Sequence, residues 1–179
     1  MSDDDVTAAS KFLAYVLRHD PAAVGLRLGE GGWVAIGALV EAAARHGRPL
    51  SPALVRRVAD APGKKRFEVR DGLIRAAQGH SVPVDLGLAP AVPPPVLYHG
   101  TVARFLPGIR AQGLRPGARV HVHLSADEET AAVVGARRGQ PVVLRVDSAG
   151  MAAAGYEFFR AANGVWLTAA VPPAFLDGP

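Results

Sequence analysis

The sequence predicts an α+β protein built from two lobes, and three observations lead to this prediction. Helix signals occupy most of the first 60 residues, and a β-hairpin signal follows them at 66–76. A proline-rich segment at 81–95 then has the composition of a stiff linker. After it, short strand patterns alternate with helix patterns. We therefore predict one lobe at 1–88 and a second, strand-rich lobe at 89–179.

The first lobe shows the element order of a winged helix. Apolar spacing and end signals predict three helices, at 7–19, 37–46 and 52–60. Gly47 is placed as the C-terminal cap of the second helix, and Ser51 as the N-cap of the third. Asp71-Gly72 lies between two alternating runs, which is a strong signal for a two-residue hairpin turn. Three helices followed by a hairpin are typical of a winged helix.

The hairpin register follows from the turn. A two-residue turn at 71–72 pairs Glu68 with Arg75, so these side chains can form an ion pair across the strands. Side chains on alternate positions share a face. The inner face is predicted to hold Phe67, Val69, Ile74 and Ala76, and the mostly basic outer face Arg66, Glu68, Arg70 and Arg75.

The second lobe is predicted to mix strands and helices. Strands are expected at 96–99, 119–124, 141–147, 156–160 and 165–168, and helices at 102–112 and from Ser125 to Gly139. A capping box formed by Ser125-Ala126-Asp127-Glu128 opens the latter helix. Gly113 closes the former, and Asn163-Gly164 forms the turn between the last two strands.

The segment 119–125 is the most informative part of this lobe. It alternates, so an extended strand would send Val120, Val122 and Leu124 into a core. The opposite face would carry a polar row, namely Arg119, His121, His123 and Ser125. Arginine, histidine and serine are not the polar residues that strands favour, so this row suits a binding site for an anionic ligand.

Composition limits the classes of protein. The chain has no cysteine, which excludes disulfides and thiolate chemistry. Its net charge is +4, and all its 20 basic residues except Lys11, Lys64 and Lys65 are arginine, a bias that a GC-rich genome also produces. The N-terminus is acidic, with no signal peptide, and no apolar run could cross a membrane. We expect a cytoplasmic protein with no membrane partner.

A set of short motifs indicates a family. They are Ser10-Lys11-Phe12-Leu13, Leu17-Arg18-His19, Gly32-Trp33-Val34, Lys65-Arg66-Phe67, Ile74-Arg75-Ala76, Gln78-Gly79-His80-Ser81, Tyr98-His99-Gly100-Thr101, the row 119–125, Phe158-Phe159 and Asn163-Gly164-Val165-Trp166-Leu167-Thr168. In this order and spacing the chain resembles RNA 2'-phosphotransferases of the KptA type, from about residue 8 to its end.

The resemblance implies an N-terminal winged-helix lobe that binds RNA and a C-terminal lobe of the ADP-ribosyltransferase type that binds NAD+. It implies removal of an internal RNA 2'-phosphate in two steps. The phosphate first displaces nicotinamide from NAD+, which gives an RNA-2'-phospho-ADP-ribose intermediate. Attack of the ribose O2'' on phosphorus then gives 2'-OH RNA and ADP-ribose 1'',2''-cyclic phosphate. The partner is a 2'-phosphorylated RNA, tRNA-like or other, and a monomer is expected.

The resemblance also implies site residues. The catalytic set is Arg18, His19, Arg66 and Arg119, which would place the phosphate between the lobes. The NAD+-binding set is His99, Gly100, Thr101, His123 and Ser125, with Gly100 allowing a close approach of backbone to the dinucleotide. The RNA-binding set is Lys11, Lys65, Arg75, Gln78 and His80. No metal is expected, and the roles of His121 and Arg70 stay open.

The chemistry is compatible with these residue types. A phosphate monoester is already anionic, with a second pKa of about 6, so it needs charge relief and positioning rather than a general base. Many ADP-ribosyltransferases place a glutamate on the strand after the Asn-Gly turn. Here that strand is Val165-Trp166-Leu167, with no acid, which favours a phosphate acceptor.

Other hypotheses remain at this point. The same arginines could serve ADP-ribosylation of terminal phosphates of RNA or DNA, or the chain could be a non-catalytic nucleic-acid-binding module. Arg18-His19 and Arg137-Arg138 could be cations at helix C-termini. A metal site of His99, His121 and His123 is disfavoured because no acidic ligand is near in the sequence. A Rossmann dinucleotide site is also disfavoured, because the sequence has no Gly-x-Gly-x-x-Gly motif after a strand.

Overall fold

A computed structural model describes residues 3–63 and 65–178. Tertiary contacts divide the chain into two compact units, unit 1 (Met1–Gly87) and unit 2 (Leu88–Pro179). The division lies one residue from the boundary predicted at 88/89. Each unit combines helices with small antiparallel sheets, so the prediction of an α+β protein is confirmed.

Unit 1 contains three α-helices and three strands among its described residues: α1 (Asp3–Arg18), β1 (Val34–Ala35), α2 (Ile36–Arg45), α3 (Pro52–Asp60), β2 (Phe67–Arg70) and β3 (Leu73–Ala76). Two short 3₁₀ helices lie between α1 and β1, at Pro21–Val24 and Glu30–Gly32. The helix α1 begins earlier than predicted, because the acidic residues at its start are good first-turn residues.

Local signals fix the ends of the other helices as predicted. The Ser51 hydroxyl accepts a hydrogen bond from the Leu54 amide at 3.1 Å and caps α3. Gly47 follows α2 with a φ of 72°, a left-handed conformation that ends the helix. The apolar faces of the three helices meet in one core, whose fully buried members include Leu13, Leu17, Leu39, Val55 and Ile74.

The strands of unit 1 form a sheet in the order β1-β3-β2, and the hairpin has the predicted register. Glu68 lies opposite Arg75, as the two-residue turn requires. The prediction that Val69 faces the core is wrong, since the residue is 38% exposed. It lies beside the turn on the edge strand β2, whereas its partner Ile74 is in the central strand and is fully buried.

Unit 2 contains three α-helices and six strands among its described residues: β4 (Val96–Val102), α4 (Leu106–Gln112), β5 (Val122–Leu124), α5 (Glu128–Ala136), β6 (Pro141–Asp147), α6 (Ser148–Ala153), β7 (Phe159–Arg160), β8 (Trp166–Thr168) and β9 (Leu176–Asp177). Short 3₁₀ helices lie at Ala103–Phe105 and Pro173–Phe175. The strands form two antiparallel sheets, in the orders β4-β6-β9 and β5-β8-β7. Their apolar faces enclose a core that includes Leu97, Leu124, Val146, Met151 and Phe158.

The predicted strand at 119–124 is wrong in its first half. The strand β5 begins at Val122, and Val120 is 39% exposed rather than buried. The Arg119 amide donates to the carbonyl of Pro116 at 3.2 Å, in a turn that contains Gly117 with a φ of 64°. A turn can carry the same alternation of residue types as a strand, so the sequence pattern alone did not distinguish the two.

Several further element boundaries differ from the prediction, such as α4 beginning at Leu106 and β7 at Phe159. The predicted strand at 96–99 is longer in the structure, since β4 continues through Val102 and all seven of its residues pair with β6. The N-cap of α5 is Asp127, whose carboxylate accepts from the Thr130 amide at 2.7 Å. Ser125 is instead paired with Tyr98 through two backbone hydrogen bonds, which leaves it outside the helix.

No helix among the described residues combines the length and the apolar character that crossing a bilayer requires.

Candidate active site

In unit 1, two of the predicted catalytic residues lie at the C-terminal end of α1. Arg18 is the last residue of the helix and is half-buried, and His19 follows it and is exposed. The Arg18 guanidinium donates through Nη2 to the backbone carbonyl of Arg66 at 3.3 Å. The structure therefore connects the end of α1 to the residue that precedes β2. The exposed Arg66 side chain belongs to the same part of unit 1.

The segment 78–81 packs against this end of α1. The amide of Ser81 donates to the carbonyl of Arg18 at 2.8 Å, and the Ser81 hydroxyl lies 2.9 Å from Nδ1 of His19. Gly79 has a φ of 92°, and a β-carbon added there would lie 3.6 Å from the Arg18 side chain. The segment therefore has a structural role, because it holds both Arg18 and His19.

His80 is the buried member of the segment. Only 3% of it is exposed, and its Nε2 has no hydrogen-bond partner within the described part of the chain. Burial lowers the pKa of His80 from 6.5 to about 4, and the nearby charges of Arg18, His19 and Arg75 act in the same direction. The imidazole is therefore neutral at physiological pH. Gln78 also has a buried side-chain oxygen, Oε1, with no partner among the described residues.

Arg75, predicted to bind RNA, makes four hydrogen bonds inside unit 1. It forms a bidentate ion pair with Glu68 at 3.0 and 3.1 Å, as the register predicted. Its Nη1 donates to the carbonyls of Gly31 and Leu86 at 3.1 and 2.9 Å. Since a guanidinium has five N–H donors, four of these bonds leave little capacity for a ligand. The guanidinium also lies 4.6 Å from the centre of the Trp33 ring.

The other predicted RNA-binding residues are placed differently. Lys11 is exposed on α1, and Lys65 is exposed immediately before Arg66. Arg70, whose role was open, is an exposed residue whose guanidinium lies 5.1 Å from the centre of the Trp33 ring. Trp33 is thus contacted by two arginines, an arrangement that the single motif Gly32-Trp33-Val34 did not reveal.

In unit 2, three of the predicted residues form a connected chain. Arg119 Nη1 lies 2.7 Å from Nδ1 of His123, and the carbonyl of His123 lies 3.1 Å from Nδ1 of His99. A guanidinium only donates, so His123 accepts through Nδ1 and carries its proton on Nε2. A carbonyl only accepts, so His99 donates through Nδ1 and presents Nε2 as an acceptor when neutral.

The protonation of this chain follows from its surroundings. Burial lowers the pKa of His99, and Arg138 and Arg119 lower it further, against an opposing hydrogen bond to His123. Burial also lowers the pKa of Arg119, with contributions from Arg138 and Arg137. Arg137 and Arg138 were interpreted as cations that complement a helix dipole. Arg138 lowers the pKa of both His99 and Arg119, and Arg137 lowers that of Arg119, so both arginines add positive charge near this site.

Gly100 and Thr101 lie beneath α5. A β-carbon on Gly100 would collide with the backbone of Ala131 and Gly135, so glycine is required there for packing of α5 against β4. The structure thus gives a packing reason for glycine here, and the predicted close approach to a dinucleotide stays a prediction. Thr101 is 3% exposed and is covered in the same way. Ser125, at the end of β5, is half-buried.

The histidines of unit 2 do not form a metal cluster in the described ranges. His121 packs its ring against Phe159, with centroids 5.8 Å apart, and is half-buried. No group of three histidine, cysteine, aspartate or glutamate residues within 3–63 and 65–178 is arranged to hold a metal ion. The expectation that the protein needs no metal stays a prediction.

Sequence comparison decides the family. A sequence model described as "RNA 2'-phosphotransferase, Tpt1 / KptA family" matches residues 3–170. The chain belongs to this family. A "Probable RNA 2'-phosphotransferase" of Streptomyces griseus subsp. griseus is 54% identical over 185 residues, covering 98% of each chain. One from Pectobacterium carotovorum subsp. carotovorum is 52% identical over 180 residues, covering 99% of this chain and 97% of its own.

In this member of the RNA 2'-phosphotransferase family, each unit contains one cluster of the predicted site residues. Arg18, His19 and the backbone of Arg66 lie together in unit 1, and Arg119 lies with His123 and His99 in unit 2. Each cluster combines guanidinium and imidazole groups, which suit a phosphate ligand.

Proposed function

We propose that the protein removes an internal RNA 2'-phosphate by transfer to NAD+, through an RNA-2'-phospho-ADP-ribose intermediate. The products are 2'-OH RNA, ADP-ribose 1'',2''-cyclic phosphate and nicotinamide. Family membership over nearly the whole chain supports the RNA 2'-phosphotransferase activity. The proposal depends most on one contact in unit 1. The Arg18 guanidinium donates to the backbone carbonyl of Arg66, which brings residues 48 apart in sequence together beside His19.

We assign catalytic roles to four residues. Arg18, His19 and Arg66 of unit 1 and Arg119 of unit 2 carry guanidinium and imidazole groups, which suit donation to phosphate oxygens and offset negative charge. The element order of unit 1, three helices with β1 after the first and a closing hairpin, supports a winged-helix RNA-binding lobe. Lys11 and Lys65 are exposed and suit contacts with the RNA backbone, whereas Arg75 supports the lobe from within.

The residues of unit 2 fit NAD+. In the neutral ring of His99, Nε2 accepts hydrogen bonds, which suits a ribose hydroxyl. Within the described residues, Asn163 Nδ2 is buried and has no acceptor, so a ligand carbonyl or hydroxyl would satisfy it. We propose that His99, His123 and Ser125 contact the dinucleotide, with Gly100 and Thr101 setting the position of α5. Bound NAD+ supplies the ribosyl carbon at which the phosphate reacts. Unit 2 is thus proposed as a lobe of the ADP-ribosyltransferase type.

The test is an incubation with an oligonucleotide that carries one internal 2'-phosphate. With NAD+, the expected products are the 2'-OH oligonucleotide, nicotinamide and the cyclic phosphate of ADP-ribose. Phosphate removal without NAD+ would contradict the role of the dinucleotide. An oligonucleotide with only a terminal phosphate tests the alternative acceptor. If that end receives ADP-ribose while the first oligonucleotide keeps its internal 2'-phosphate, terminal ADP-ribosylation replaces this proposal.

A further inference from the structure

The His19 ring is held from one side by a serine that follows it by 62 residues. The Ser81 hydroxyl lies 2.9 Å from His19 Nδ1. The backbone of the same segment is fixed independently of that hydroxyl, because the amides of Ser81 and Val82 both point to the carbonyl of Arg18, at 2.8 and 3.4 Å. Removing the hydroxyl alone would therefore leave the segment attached to α1.

A serine hydroxyl both donates and accepts, so it can bond to Nδ1 in either protonation state of the ring. When His19 is protonated, its Nδ1–H donates to Oγ of Ser81. When His19 is neutral, the hydroxyl can donate to Nδ1, and the ring hydrogen is then on Nε2. Because Nδ1 is bonded to Ser81, a phosphate contact by the ring nitrogens of His19 has to be made through Nε2.

We propose that Ser81 is a positioning residue that keeps a hydrogen on Nε2 of His19 in both protonation states, so that His19 donates to a phosphate oxygen over a wide pH range. This inference rests on the proposed role of His19. A phosphate only accepts at physiological pH, so a neutral ring with its hydrogen on Nδ1 would present a lone pair and repel it. The hydroxyl disfavours that tautomer when it donates its hydrogen to Nδ1. Serine and threonine can donate in this way, whereas alanine cannot.

Several charged or titratable groups also lie near His19. Arg18 and Asp20 flank it in the chain, and the Asp20 carboxylate accepts from the hydroxyl of Tyr15 at 3.1 Å. His80 lies in the same segment as Ser81, and its pKa is lowered in part by His19. Arg66 is joined to Arg18 through its carbonyl. Ser81 is the residue whose hydroxyl is placed on Nδ1.

The experiment compares the rate of 2'-phosphate removal between pH 6 and 9 for the full chain and for Ser81→Ala, Ser81→Thr and Ser51→Ala. We expect Ser81→Ala to lower kcat about 10-fold at pH 8.5, the effect of one hydrogen bond, and no more than about 2-fold at pH 6. KM for the RNA should rise as well, because a ring that presents a lone pair also repels the phosphate of the bound substrate. Ser81→Thr should restore the profile.

Ser51→Ala is the control for loss of stability. It removes the hydroxyl that caps α3 in the same unit, so it should lower the melting temperature and leave the shape of the pH profile unchanged. A profile of Ser81→Ala parallel to that of the unsubstituted chain would overturn the inference, as would failure of Ser81→Thr to restore the rate.

A second readout does not depend on activity. Nitrogen-15 NMR of the histidine rings at pH 8.5 reports which nitrogen carries the hydrogen. We expect Nε2–H for His19 in the unsubstituted chain and a larger Nδ1–H fraction in Ser81→Ala. An Nδ1–H ring in the unsubstituted chain would overturn the inference. If the NMR result holds but the chain does not act on 2'-phosphorylated RNA, the proposed function fails and the role of Ser81 in the tautomer stands.

Discussion

His80 should make the stability of unit 1 depend on pH. In the folded chain burial lowers its pKa from 6.5 to about 4, whereas an unfolded chain leaves the imidazole in water. Between these values the unfolded state binds a proton that the folded state does not. Stability that is fully present above pH 6.5 is therefore lost as the pH falls toward 4.

The size of the loss follows from the shift. At 1.36 kcal/mol per pH unit, a shift from 6.5 to about 4 corresponds to about 3 kcal/mol. The residue is only 3% exposed, so solvent screening does little to reduce this figure. Such a loss is a large part of the stability of a small domain, which is commonly about 5–15 kcal/mol.

The assay is urea unfolding at several pH values between 7.5 and 4.5, followed through NMR signals of unit 1. We expect His80→Leu to remove most of the pH dependence that is specific to this site. His46→Gln, which changes an exposed histidine at the end of α2, is the matched control and should keep the dependence of the unsubstituted chain. Equal slopes for His80→Leu and the unsubstituted chain would refute the reasoning.

Two contacts within the units give further predictions. Gly100→Ala should destabilise unit 2 by about 3 kcal/mol or more, because the new β-carbon meets the backbone of α5. The measurement is the melting temperature, and the control Gly108→Ala, where the added carbon meets open space, should show no comparable drop. Arg75→Ala should cost unit 1 about 3 kcal/mol in urea unfolding by leaving Glu68 and two carbonyls unpaired. Arg70→Ala, an exposed arginine of the same hairpin, should cost less than about 1 kcal/mol, and equal losses would contradict this account.

Local chemistry made much of unit 1 predictable. The Asp71-Gly72 turn and the alternation of apolar residues fix the register of the hairpin, because a slip by one residue would move every side chain to the other face. The ion pair of Glu68 and Arg75 followed from that register alone. Ser51 and Gly47 marked helix ends because their chemistry acts within one turn.

Features set by distant residues were not predictable. The space beside Gly100 is filled by α5, which begins 28 residues later, so the sequence around Gly100 does not reveal why glycine is needed. The contact of Ser81 with His19 joins residues 62 apart. The alternation at 119–121 resembled a strand, but strand pairing in β5 begins only at Val122. Residue types identified the candidate site, whereas hydrogen bonds between remote segments give it its form.

In the proposed reaction, guanidinium and imidazole groups act on the oxygens of the 2'-phosphate. The most direct measurement follows the RNA products of Arg119→Ala and His19→Ala during incubation with 2'-phosphorylated RNA and NAD+, with Arg110→Ala as an exposed arginine control in unit 2. We predict that the ADP-ribosylated RNA accumulates in the first two variants, which remain folded by circular dichroism, while the control proceeds to 2'-OH RNA. Complete conversion by folded Arg119→Ala and His19→Ala, at the rate of the control, would contradict the account.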